Sequence, residues 1–156
     1  MTSFETPLDR IRALGLEWPE APAPKGWYVP VVRSGSLVFV SGQLPLRGGR
    51  VAVTGALGGG VSLDEGRSAA RLCMLNVLAA LEGNGVPLAS IRRAVKVTGF
   101  VRSAPDFTEQ PQVLNAASEL LTDVFGEAGR HARAAVGVAA LPLGAAVEIE
   151  AIFEVE

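Results

Sequence analysis

The stretch from Gly129 to Glu156 reads GRHARAAVGVAALPLGAAVEIEAIFEVE, two alternating runs separated by a Leu-Pro-Leu-Gly break. In the second run Val147, Ile149, Ala151, Phe153 and Val155 fall on one side, while Glu148, Glu150, Glu154 and Glu156 fall on the other. That period of two is the pattern of a strand buried on one face. The first run sets Arg133 at the head of a strand made otherwise of small and apolar residues. An arginine so placed fits two descriptions. One is a solvated strand-end cation in a weak ion pair. The other is a planar fork that takes a carboxylate or phosphate through two parallel hydrogen bonds, a task for which Arg suits better than Lys.

Upstream, two segments supply partners for such a sheet. Ser62 and Glu65 form a capping box, and after it Ala70, Met74, Val77, Leu78 and Leu81 recur at helical spacing. Gly83-Asn84-Gly85 and Pro87 end that helix. A second helix, expected from about Pro111, carries Val113, Ala117, Leu120, Leu121 and Val124 at the same spacing. Two equivalent apolar stripes call for one shared sheet face. Between the helices, residues 91–103 read as a strand, with Ile91, Val95, Val97 and Val101 mostly alternating. Cys73 and Met74 sit among apolar neighbours and read as core filling.

Before the first helix the chain is strand-like. VPVVRSG and LVFVSGQLP are separated by Ser34-Gly35-Ser36, a hairpin connection, and RVAVTG follows the Gly48-Gly49 turn as a third strand. GALGGG at 55–60 lacks a Walker lysine and the G-x-G-x-x-G spacing, and is expected to be a flexible loop near a site entrance. At the N-terminus, residues 4–16 predict a short amphipathic helix with Thr6 as cap and Pro7 at the first position. The proline-rich stretch EWPEAPAPKG then forms an extended arm, with Trp18 and Trp27 at its ends as anchors onto the domain or a neighbouring subunit. The order is arm, three short strands, helix, strand, helix, two strands. It gives an α+β domain with both long helices on one sheet face.

At 156 residues and 16.2 kDa the chain is expected to be one domain. A net charge of −2 and a pI near 5.5 argue against a nucleic-acid partner and for a small soluble ligand. One cysteine allows no internal disulfide, and one cysteine with one histidine makes no zinc site. The expectation is a reduced, cytoplasmic protein without metal or cofactor. With no secretory h-region and no long apolar run, neither export nor membrane insertion is expected.

HARAAVGVAALP followed by VEIEAIFEV resembles the C-terminal signature of the RidA (YjgF/YER057c/UK114) family: an arginine flanked by alanine or proline, a valine-rich strand, Leu-Pro, then V-E-I-E-A. A second block, LVFVSGQLP at 37–45, matches as well, and the resemblance covers about the C-terminal four-fifths of the chain. It divides the chain into residues 1–27, helix and arm, and residues 28–156, a single RidA-like domain. It implies the chorismate-mutase-like α+β fold, a mixed sheet with two long helices on one face, assembled as a homotrimer with ligand sites in clefts between subunits.

The resemblance also implies an activity. Members hydrolyse small 2-imino acids, or their enamine forms, to 2-oxo acids and ammonia. Arg133 matches the arginine that holds the substrate carboxylate, and Glu148, first glutamate of VEIE, matches the catalytic glutamate. Tyr28 resembles a tyrosine that follows Gly-Pro in the family and here follows Gly26-Trp27. Ser41, Gly42 and Asn115 complete the implied substrate-binding set. Ala135 stands where many relatives carry cysteine. The longer arm, GALGGG and an extension at 104–110 resemble a divergent branch. A sensing module binding small carboxylates without reaction is the alternative, and endoribonuclease activity, a label the family carries, is a third. Spacing alone makes Glu148 a solvated glutamate like Glu150 and Glu154. A simple hairpin of the last two strands would put Glu148 opposite Val138, roughly 17 Å along the strand from Arg133. Cooperation therefore requires another strand order or a second subunit.

Overall fold

A computed structural model describes residues 5–23 and 26–156. Phe4, at the start of the expected first helix, and Pro24 and Lys25 of the arm lie outside the described residues. The first helix, α1, runs Pro7–Ala13, and the Thr6 cap is the predicted one, a capping box with Asp9. Its Ile11 is buried in the main core, and Arg10 Nη1 donates to Val124 O at 3.0 Å. The N-terminal helix is thereby packed onto the domain.

β1 (Val31–Ser34) and β2 (Leu37–Gln43) form the expected hairpin around Gly35-Ser36, where Gly35 takes the positive φ of 63° that the two-residue turn demands. The next segment differs from the expected third strand. β3 (Leu46–Arg47) and β4 (Arg50–Val51) make a small separate hairpin over Gly48-Gly49, outside the main sheet. GALGGG also differs. β5 (Ala56–Leu57) and β6 (Gly60–Val61) pair locally, and Leu57 is fully buried against the start of the first long helix. Gly66 leaves the room for it, since a Cβ there would strike the Leu57 side chain. The segment is a packed corner, with Leu57 O accepting from Ala104 N at 2.9 Å.

The helices α2 (Leu63–Gly83) and α3 (Gln110–Phe125) lie together on one face of the sheet. All ten residues of the two predicted stripes are buried. They meet core-facing Val38 and Val40 of β2, Val97 and Val101 of β7 (Ile91–Arg102), and Ile149 and Phe153 of β9 (Val147–Val155). Along β7 the alternation slips at a register shift between Ala94 and Lys96, so Ala94, not Val95, faces the core. α2 is buried over more than a stripe because α3 covers its flank, tied by Arg67 to Glu119 at 3.0 Å.

The sheet order is β1-β2-β9-β7-β8, where β8 spans Ala132–Val138. β8 is parallel to β7, which it follows through α3, and the remaining pairs are antiparallel. The last two strands are therefore not a hairpin, because β7 lies between them. This is the expected α+β architecture: a mixed sheet with both long helices on one face. The opposite face exposes Val32, Leu37, Phe39 and Val136, and so is more apolar than its glutamate row suggests. No helix among the described residues is long and apolar enough to cross a membrane.

Candidate functional site

Glu148 sits early in β9, opposite Phe100 of β7. On its other side β2 breaks register between Val40 and Gln43, a bulge that contains Ser41 and Gly42. The Glu148 carboxyl turns into that gap. A Cβ at position 42 would collide with Glu148 Oε1, so only glycine leaves the space. The bulge opens a cleft of about 710 Å³, lined also by Tyr28, Gln43, Asn76 and Arg47. Asn76 is a buried amide in the middle of α2 and donates to Leu46 O and Leu72 O, both at 3.0 Å. Partial burial, and then the like charge of Glu150, push the Glu148 carboxyl above the ordinary glutamate range. Glu150, one pleat further, is exposed and lies outside this cleft. The fully buried Cys73 thiol donates to Val147 O at 3.5 Å, and burial holds its pKa well above that of a free thiol.

Arg133 lies on the edge strand β8, on the other side of β7 from β9. Its side chain is on the helix face, next to Val97 in register, and reaches α3. Nη1 donates to Asn115 Oδ1 at 2.9 Å and to Ser118 Oγ at 3.1 Å. Pro111, Asn115 and Ser118 follow one another at helical spacing, which presents them as one face of α3 to β8. A third group backs them. His131 Nδ1 is 2.7 Å from Gly129 O, and Nε2 is 2.9 Å from Ser118 Oγ. A carbonyl can only accept, so Nδ1 donates to it, and in the neutral imidazole Nε2 then accepts from the Ser118 hydroxyl. Among the described residues no carboxylate lies within ion-pair distance of Arg133. The weak ion pair is thus not the arrangement found. The guanidinium is oriented by neutral partners, and its contact to Pro111 O at 3.5 Å is too long to consume the outer nitrogen.

The chain thus gathers the predicted residues into two groups. Tyr28, Gly42 and Glu148 share the cleft. Arg133 and Asn115 share the far edge. Ser41 belongs to neither, since its hydroxyl donates to Val29 O at 2.7 Å and tethers the segment that carries Tyr28. Arg133 and Glu148 are separated by the width of β7 and three residues of register, about 14 Å between Cα atoms, and sit on opposite faces. Within one chain they do not meet. Two expectations need correction. GALGGG does not line the cleft, and Trp27 is fully exposed, so among the described residues it is not an anchor onto its own domain. The arm itself does line the cleft, through Trp18, Pro19 and Pro22. Ser118 and His131 were missed, and nothing in their spacing signals that they support Arg133. Asn76 carried a signal, a lone amide inside an apolar helical run.

The family model described as "YjgF/chorismate_mutase-like, putative endoribonuclease" matches residues 8–154. Protein TCP17 of Trypanosoma cruzi is 48% identical over 92% of this chain and 91% of its own. The 2-iminobutanoate/2-iminopropanoate deaminase of Salmonella typhimurium is 38% identical over 85% of this chain and 90% of its own. Among solved structures, one from Shewanella oneidensis described as a "putative endoribonuclease" superposes with a TM-score of 0.92 at 35% identity, covering 96% of this chain and 99% of that one.

Proposed function

The chain belongs to the YjgF/RidA family, and from that premise we propose that it hydrolyses 2-imino acids to 2-oxo acids and ammonia in the cytoplasm, at sites formed between three copies. The observation that carries this reading is Glu148. Its carboxyl fills the gap that Gly42 leaves in the β2 bulge and lines the cleft there, and burial raises its pKa. A base is most effective when its pKa approaches the working pH, and a raised carboxylate moves that way. Arg133 supplies the complement, a guanidinium on an edge strand with no carboxylate partner among the described residues.

The reaction needs little more. The substrate carboxylate docks on Arg133, which fixes the iminium carbon near Glu148 of a neighbouring copy. Water hydrogen-bonded to Glu148 adds to that carbon while the carboxylate takes its proton. The proton is returned to nitrogen, and as the C–N bond breaks and ammonia leaves, the Glu148 carboxylate takes the hydroxyl proton and the carbonyl forms. The sheet's outer face supports assembly. Val32, Leu37, Phe39 and Val136 are exposed there on a surface that closed symmetry would bury.

The test is the release of 2-oxo acid and ammonia from freshly generated 2-imino acids. Acceleration over the spontaneous rate supports hydrolysis. Binding of 2-oxo acids without acceleration favours the sensing module. For the endoribonuclease reading the support is the family description and the names of relatives. The net charge of −2 argues against an RNA surface.

A further inference from the structure

We propose that the N-terminal arm closes a side-chain subsite over the Glu148 cleft, and that the protein selects 2-imino acids with a bulky apolar side chain, aromatic ones above all. The chemistry named here rests on the imine-hydrolase reading, whereas the selectivity rests on the cleft itself. The arm is held at two points. Upstream, α1 is fixed by buried Ile11 and by the Arg10 contact to Val124 O. Downstream, Ala21 lies against Gly83 at the end of α2, where a Cβ on residue 83 would strike the Ala21 methyl. Gly83 has no positive φ, so close approach is the reason glycine serves there.

Between these points the arm passes over the cleft. Trp18, Pro19 and Pro22 form one wall, and Leu46, Leu72 and Leu143 stand among the residues lining the rest. The two prolines restrict the backbone, so the wall is largely set before a ligand arrives. A cleft of about 710 Å³ is of the size that suits a drug-sized ligand and is far larger than a three-carbon acid needs. Charge decides the orientation. Glu148 lies inside the cleft and Glu17 and Glu20 lie on the arm, three carboxylates against the one cation Arg47 among the lining residues, so on balance the anionic end of a substrate is repelled from this region. The carboxylate points out of the cleft toward a cation, and the apolar tail goes under the arm.

The experiment measures binding of 2-oxo acids by calorimetry, which does not depend on turnover. Phenylpyruvate is expected to bind at least about tenfold more tightly than pyruvate, since each buried methylene equivalent contributes a factor of that order. Trp18→Ala should pull the ratio toward one. Gly83→Ala should do the same by displacing the arm, with pyruvate binding unchanged. Equal or tighter binding of pyruvate, a ratio that neither substitution moves, or no binding of either acid overturns the proposal. Selective binding without imine hydrolysis sustains the subsite and removes the hydrolase reading. Hydrolysis without selectivity does the reverse.

Discussion

Gly42 and Glu148 occupy one space: the Cβ that residue 42 lacks is where the Glu148 carboxyl lies, in the gap made by the β2 bulge. Gly42→Ala should therefore act on the carboxylate more than on the fold. The obstructed atom is the end of a flexible side chain, which can swing away at a cost of about 1 kcal/mol or less. Imine turnover should fall at least about tenfold, with the melting temperature nearly unchanged. A variant that loses stability and keeps its turnover number would show that the contact is packing alone.

Glu148→Gln should abolish hydrolysis and stabilise the chain at neutral pH. The carboxyl is raised in the folded state, by burial first and by Glu150 second. Protonation thus favours the folded form, and that contribution is present in acid and lost as pH rises through the folded pKa. Glutamine cannot ionise and escapes the loss. The gap in melting temperature between variant and wild type should widen from pH 4 toward pH 8. A gap independent of pH would mean the Glu148 carboxyl titrates as it does in the unfolded chain.

Arg133→Ala should weaken binding of 2-oxo acids by about 1.5–3 kcal/mol, roughly tenfold to 150-fold. Ser118→Ala removes one of the two hydrogen bonds that orient Nη1, together with the His131 link behind it, and should cost about 1 kcal/mol. Isothermal titration separates the two. Equal effects would imply that Ser118 contacts the ligand directly.

The expected assembly is a trimer, with light scattering at three times the 16.2 kDa chain mass. Phe39→Glu places a charge on the apolar outer face and should yield folded monomers without activity, because Phe39 is already exposed in the single chain. Monomeric wild type at micromolar concentration would contradict the assembly.

Much of this architecture was legible in the sequence, for reasons that differ by element. The stripes of α2 and α3 and the alternation of β9 are long and regular, so local period alone assigned them. The position of β7 between β8 and β9 is a long-range choice that a turn such as Leu141–Gly144 does not reveal. Glu148 has the same strand context as Glu150 and Glu154, and what separates it is a bulge on a different strand. GALGGG shows the opposite error. Its glycines suggested freedom, while Leu57 among them is a core residue that fixes the segment. Trp27 reads as an anchor by composition, but nothing among the described residues of its own chain covers it.

The most direct test of a site shared between copies is to mix inactive chains. Arg133→Ala, assayed with substrate well below its weakened Kd, and Glu148→Gln are each expected to show little or no hydrolysis alone. Unfolded and refolded together, they should form trimers in which some clefts take Arg133 from one chain and Glu148 from the other. For random mixing in a closed ring, roughly one quarter of the clefts are complete, and about that share of wild-type imine hydrolysis should return. A mixture that assembles and stays as inactive as its parents would contradict the shared site.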